Sequence, residues 1–226
     1  MRTLLTILLA LAVLGAGLGW WLTRPAPLDP GFATGLTPDA EAGRLVFAAG
    51  GCASCHAAPE AEDRTVLAGG QAFASDFGTF YAPNISTDPE AGIGAWDLPT
   101  FARAVTQGVG PTGAHLYPAF PYVFYDAMTD QEVADLHAYM ATLPADATPS
   151  RAHDVGFPFN IRRAVGLWKL LYDTGEPVLT GALSLEVERG RHLVEGAAHC
   201  GECHTPRTAL GGSCKNCHEK FRGPET

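Results

Sequence analysis

Cys52-Ala53-Ser54-Cys55-His56 sets two thiols three positions apart with an imidazole directly after the second. Each thiol can form a thioether to a vinyl group of one haem, and the imidazole can then reach the iron. The pentapeptide is therefore an attachment signature for a c-type haem. The spacing returns at Cys200-Gly201-Glu202-Cys203-His204 and at Cys214-Lys215-Asn216-Cys217-His218. The three motifs use all six cysteines, leaving none for a disulfide or a lone catalytic thiol. A single Cys-x-x-Cys pair also suits a redox dithiol or half of a zinc site. A dithiol has no need of the trailing histidine, and only the last two pairs lie close enough in sequence to share a zinc ion. Histidine in fifth place three times favours two or three covalent haems c. Cys52, Cys55, Cys200, Cys203, Cys214 and Cys217 are then the attachment points, and His56, His204 and His218 the iron ligands.

Around the first motif the pattern is helical. Ala42, Leu45, Val46 and Ala49 repeat on one face. Thr37 is positioned to cap that helix, with Pro38 in its first turn, and Gly50-Gly51 ends it just before Cys52. Residues 57–83 are rich in Gly, Ala and Phe and read as a loop along one haem edge. Asp97 can cap a helix carrying Phe101, Ala104 and Val105, with Gly108 as its stop. Pro111, Pro118 and Pro121 argue for an extended stretch over 108–125. Thr129-Asp130-Gln131-Glu132 is a capping box, opening a helix that turns Val133, Leu136, His137 and Met140 inward and ends before Pro144. Gly43 would let this helix approach the first closely, with Tyr139 as the expected contact.

A connector follows over 144–183. Within it Ile161 to Tyr172 reads as helical, with Val165, Trp168, Leu171 and Tyr172 on one side, packed between two haem units. Its Arg162, Arg163 and Lys169 also allow a helix resting on anionic lipid. From Ser184 the opening pattern repeats: Glu188-Arg189-Gly190-Arg191 precedes Cys200 much as Glu41-Ala42-Gly43-Arg44 precedes Cys52, an internal duplication. The copy is cut short, since only 22 residues follow His204.

Leu4 to Leu22 is an uncharged run of 19 residues between Arg2 and Arg24, with Trp20-Trp21 at its outer end. That length spans a bilayer core as a helix, and tryptophans favour the interface. Residues 1–25 are accordingly an N-terminal anchor in preference to a cleaved signal, and 26–36 a proline-rich tether. Either reading sends the remainder across the membrane, so the expected location is the bacterial inner membrane facing the periplasm, or the periplasm itself after cleavage. The formal net charge is −9, which makes nucleic acid an unsuitable partner and suits a basic face on a redox partner.

The fold expected is all-α: a class I cytochrome c domain over 37–143 after an N-terminal transmembrane helix, then an incomplete second cytochrome c-like unit over 184–226 holding two haem motifs. The chain resembles the multihaem cytochrome c subunits of membrane-bound periplasmic dehydrogenases acting on alcohol, gluconate, sorbosone and related compounds. The resemblance rests on Tyr81-Ala82-Pro83-Asn84-Ile85-Ser86-Thr87-Asp88, Gly92-Ile93-Gly94-Ala95-Trp96, Leu116-Tyr117-Pro118-Ala119-Phe120-Pro121-Tyr122, Met128-Thr129-Asp130, Pro158-Phe159-Asn160 and Gly201-Glu202-Cys203-His204-Thr205-Pro206-Arg207. It implies electron transfer from a dehydrogenase subunit to membrane quinone or a terminal oxidase, with no substrate site in this chain. The tail departs from that pattern. Cys214 to Arg222 resembles the haem helix of a cytochrome c-prime, without the three helices that precede it in that bundle.

The resemblance also implies Met128 as sixth ligand to the first iron, since class I domains bring a thioether from the loop before the last helix. The other reading of Met128 is a hydrophobic staple at the helix entry. Met140 suits a core position, and His115 would instead give a bis-histidine haem. His137, His153, His192 and His199 are conceivable donors to the remaining irons, with none singled out. By resemblance, Tyr81, Asn84, Trp96 and Arg207 would meet haem propionates. The competing function is a haem enzyme or gas-binding protein, peroxidase-like or c-prime-like, using an open iron site.

Overall fold

The computed structural model describes residues 2–173, 175, 179 and 181–212, so the third motif, Cys214 to His218, lies outside the described residues. Helix α1 (Arg2–Leu22) is long and apolar enough to cross a membrane, and none of its residues is buried against the rest of the chain.

Helix α2 (Ala40–Ala49) opens the first unit. Its cap is Asp39, not Thr37: the Asp39 carboxylate accepts from the Glu41 and Ala42 amides. Thr37 is held elsewhere, its carbonyl accepting from Gln131 Nε2 at 2.9 Å. The stripe α2 buries runs through Gly43 and Phe47, while Leu45 is 60% exposed. The helix is thus rotated from the expected face because its partner, α6 (Asp130–Met140), crosses directly over Gly43. A Cβ there would stand 1.9 Å from the Asp135 carbonyl oxygen. Asp135, rather than Tyr139, is therefore the neighbour at the crossing; Tyr139 meets Phe47 edge-on, with centroids 5.2 Å apart. The buried Asp135 carboxylate accepts from Asp39 N and from Gln131 Nε2, both at 2.7 Å, which ties the start of α2 to α6. The Thr129–Glu132 capping box of α6 is formed on both sides.

Between these helices lie α3 (Cys52–His56) and α4 (Leu98–Gln107), the latter capped by Asp97 and stopped by Gly108 at φ 56°. The stretch expected to be loop contains a hairpin, β1 (Ala72–Ser75) and β2 (Gly78–Tyr81), with Ala72 opposite Tyr81. A two-residue strand, β3 (Asp154–Val155), pairs antiparallel with β2. The described residues are mostly helical, and this small sheet is an addition not expected from the sequence. Four-residue strands with no alternating burial leave too little pattern to read. The stretch expected to be extended also contains a buried helical turn, α5 (Tyr122–Tyr125).

Beyond the first unit come α7 (Arg162–Tyr172), α8 (Leu185–Glu195, capped by Ser184) and α9 (Gly201–His204). Helix α7 touches the chain on both sides. Lys169 Nζ donates to the Gly108 carbonyl at 2.9 Å, and Trp168 Nε1 donates to the Leu210 carbonyl at 2.9 Å. Leu171, expected on the packed side, is 57% exposed. The main core gathers Phe47, Leu67, Phe101, Val105, Tyr125, Met128, Val133, Leu136 and Met140, and Ala197 joins it from the region before the second motif.

Candidate haem-attachment sites

Gly51 adopts φ 58°, the left-handed conformation glycine tolerates without strain, and so turns the chain from the end of α2 straight into α3. The short helix sets Cys52 and Cys55 on one side, three residues apart, and ends on His56. Both thiols are free. Burial pushes the Cys52 thiol up to about 12, the opposite of the lowered value that makes a redox dithiol reactive. Among the described residues no group of three His, Cys, Asp or Glu that could hold a metal ion forms around either thiol.

His56 Nδ1 lies 2.9 Å from the Pro83 carbonyl oxygen. A carbonyl only accepts, so Nδ1 carries the proton and Nε2 is left with its lone pair. Burial lowers the His56 pKa, against the raising effect of the Pro83 bond, which favours the neutral imidazole, the form that can ligate a metal. An outer hydrogen bond of this kind orients a metal-binding histidine and fixes its tautomer. Gly69 secures the arrangement. Its amide donates to the His56 carbonyl at 2.7 Å, and a Cβ there would come within 2.6 Å of Pro83 O. The role of Pro83 is invisible to side-chain reasoning, because the acceptor is a backbone oxygen far from His56 in sequence.

Asn84 extends this support. Its Nδ2 donates to the Asp146 and Thr148 carbonyls, each at 2.8 Å, and its Oδ1 accepts from Ser86 N at 2.8 Å. Both amide hydrogens are spent on the backbone, so Asn84 is a loop brace and not a free donor for a propionate. Arg207 is likewise engaged, with Gly211 O at 3.1 Å and with Glu202. Tyr81 lies under the Arg151 guanidinium at 3.9 Å, and the Trp96 carbonyl meets His137.

Met128 is buried in the same apolar cluster against which Cys52 packs, together with Leu67, Phe101, Val105 and Tyr125. Val133 shares that cluster, as a staple across the Thr129 cap requires. A staple uses the hydrocarbon of the side chain and leaves the sulfur lone pairs available. Met140 lies in the core at 5% exposure. His115 is buried with Nε2 on the Thr23 carbonyl at 2.8 Å. Tyr81 N donates to His153 Nδ1 at 3.1 Å, and His192 pairs with Glu132 at 2.8 Å.

The second motif is built alike but stands open. Cys200, Cys203 and His204 are exposed, and among the described residues no hydrogen bond reaches the His204 ring. The turn before it docks on the first unit. Tyr125 stacks edge-on to His199 and its hydroxyl donates to the Gly50 carbonyl at 3.1 Å. Gly201 sits so close to Phe124 that a Cβ would be 2.7 Å from the ring. The segments leading into the two motifs thus share Tyr125.

The donor set fits a covalent haem c at the first motif: two unpaired thiols on one helical turn, a neutral imidazole with a free Nε2, and a thioether in the adjoining apolar cluster. A separate groove of about 460 Å³ between Ala58–Gly70 and Asp146–Arg151 contains none of these residues.

Comparison with known proteins agrees with that chemistry. The profile of the family described as cytochrome c matches residues 40–144. A diheme cytochrome c-type protein of Cereibacter sphaeroides is 50% identical over 213 residues, covering 93% of this chain and 72% of its own length. The fructose dehydrogenase cytochrome subunit of Gluconobacter japonicus is 40% identical over 191 residues, covering 83% of this chain and 39% of its own length. The cytochrome c subunit of a quinone alcohol dehydrogenase of Gluconacetobacter polyoxogenes is 36% identical over 185 residues, covering 78% of this chain. The chain spans only 39% of that subunit as well.

Proposed function

The chain belongs to the cytochrome c family, and from that premise we propose that it carries electrons from a periplasmic dehydrogenase towards the respiratory chain. One haem c is held at Cys52, Cys55, His56 and Met128, and a second at Cys200, Cys203 and His204. The motif at Cys214, Cys217 and His218 is assigned a third. The unit over 37–143 is a cytochrome c domain, 144–183 a connector, and 184–226 a second cytochrome c-like stretch with two haem motifs. Residues 1–25 anchor the chain in the inner membrane, with the haem units on the periplasmic side, and quinone or a terminal oxidase takes the electrons.

When bound, haem c supplies a one-electron Fe(III)/Fe(II) couple whose potential follows its axial ligands and burial. The chain's own residues set those conditions. Pro83 holds the His56 proton on Nδ1, which leaves Nε2 to face an iron. Leu67, Phe101 and Val105 keep water from the cluster that holds Met128. The contact of Tyr125 with His199 and Gly50 keeps the two attachment segments adjacent, as a relay requires. The observation that carries the reading is the His56–Pro83 hydrogen bond together with a buried Met128, residues that would supply an imidazole and a thioether to a haem iron. Relatives named as cytochrome subunits of fructose and alcohol dehydrogenases support a dehydrogenase as donor.

A spectroelectrochemical titration of the full-length protein tests this, with carbon monoxide added to the reduced form. The Cys200→Ala/Cys203→Ala/Cys214→Ala/Cys217→Ala variant isolates the first motif. Reversible one-electron reduction without a carbon monoxide shift in that variant is expected. Rapid carbon monoxide or peroxide reaction at the first haem contradicts the electron-transfer assignment.

A further inference from the structure

Helix α7 buries Val165 and Gly166 against the protein and packs Trp168 on it, yet it also turns a second apolar stripe outward. Its cations point into the protein. Arg162 lies over the Tyr117 ring at 3.8 Å, and Lys169 lies over the Tyr122 ring at 4.4 Å while donating to the Gly108 carbonyl. Its leucines point out, with Leu167 54%, Leu170 55% and Leu171 57% exposed. Ile161 and Ala164 extend that exposed apolar stripe one turn further back. A surface helix normally turns its apolar stripe to the core and its charges to water. An outward leucine stripe beside inward-held cations calls for an apolar medium on the outer side.

The position of α7 says which medium. It crosses the last turn of α1. Arg163 donates to the Trp20 carbonyl and sits over the Trp20 ring at 4.2 Å. Gly166 lies so close that a Cβ would be 2.6 Å from the Thr23 carbonyl oxygen. Tryptophans at the end of a spanning helix mark the level of the headgroups. The leucine stripe therefore starts at the depth where a bilayer's acyl chains begin, a few residues from the anchor itself.

We infer that α7 is an interfacial helix, with Leu167, Leu170 and Leu171 immersed in the outer surface of the membrane that α1 spans. This rests on the anchor assignment above and adds to it. The attraction is apolar rather than one of basic side chains for anionic lipid, since those side chains are engaged inside the protein. Such immersion fixes how the cytochrome domain stands on the bilayer, which a proline-rich tether alone would not do.

The test is photo-labelling of the full-length protein in nanodiscs of zwitterionic phosphatidylcholine containing a diazirine-tailed lipid, followed by peptide mass mapping. Label on the α1 peptide and on the α7 peptide is the expected result. In the Leu167→Glu/Leu170→Glu/Leu171→Glu variant the α7 label falls at least tenfold while the α1 label is unchanged; the haem spectrum reports that this variant is folded. Label on α1 with none on α7 overturns the inference and leaves the anchor standing. No label on either overturns both. An α7 label that survives the triple substitution also overturns the inference.

Discussion

The ring of Tyr125 stands edge-on to that of His199, with centroids 5.3 Å apart and planes at 78°. Tyr125 precedes Met128 by three residues, His199 directly precedes Cys200, and the Tyr125 hydroxyl reaches the carbonyl two residues before Cys52. One side chain therefore touches the approach to both attachment motifs. Burial raises its pKa, so the phenol stays protonated and keeps donating. In Tyr125→Phe the ring contact remains and the hydrogen bond is lost, which costs about 1 kcal/mol of stability. Chemical denaturation checks this, and the second haem's potential should shift more than the first's, because its exposed motif depends on that docking.

Gly43→Ala is expected to be the most damaging small substitution in the first unit. Its Cβ would lie 1.9 Å from the Asp135 carbonyl oxygen, against backbone that has no rotamer to yield. Overpacking of this kind costs about 1–3 kcal/mol. The methyl would force α2 and α6 apart and strain the α2–α3 turn that presents Cys52. Lower denaturant midpoints and a lower yield of haem-loaded protein are the outcomes to measure.

Glu132 gives the fold a pH dependence. Burial opposes its charge. The Thr129 amide and the His192 side chain outweigh that and hold its pKa below the ordinary 4.5. A depressed carboxylate pKa means the unfolded chain binds more protons than the folded one in the acid range. The stabilisation is complete above about pH 4.5 and fades as pH falls through the folded value. Because Glu132 caps α6 and meets His192 of α8 at 2.8 Å, acid should loosen the docking of α8 on α6. Hydrogen exchange in α8, measured from pH 6 down to about pH 3, should quicken in the native protein and change less in Glu132→Gln.

Much of the first unit was legible because its signals are local. The Thr129–Glu132 box, the Asp97 cap and the Gly108 stop each depend on a few adjacent residues, and each is formed. The errors came where long-range packing decided. Asp39 and not Thr37 caps α2 because the helix begins at Ala40, while Gln131, distant in sequence, holds the Thr37 backbone. Leu45 faces water because Gly43, with no side chain, defines the buried stripe. The β hairpin is too short for alternation to show. At the candidate site the thiols and histidines were explicit in the motifs. Pro83 was not, since its part is played by a backbone carbonyl. The outward leucine stripe of α7 was also hidden, because counting its cations says nothing about the direction in which they point.

The central claim is a closed iron site between His56 and Met128, and the red charge-transfer band of ferric haem with thioether ligation tests it most directly. The native protein should show this band, and Met128→Ala should lose it while the intact mass still reports the same number of attached haems, with Met140→Leu keeping it. A band that persists in Met128→Ala, or that disappears in Met140→Leu instead, would contradict the account.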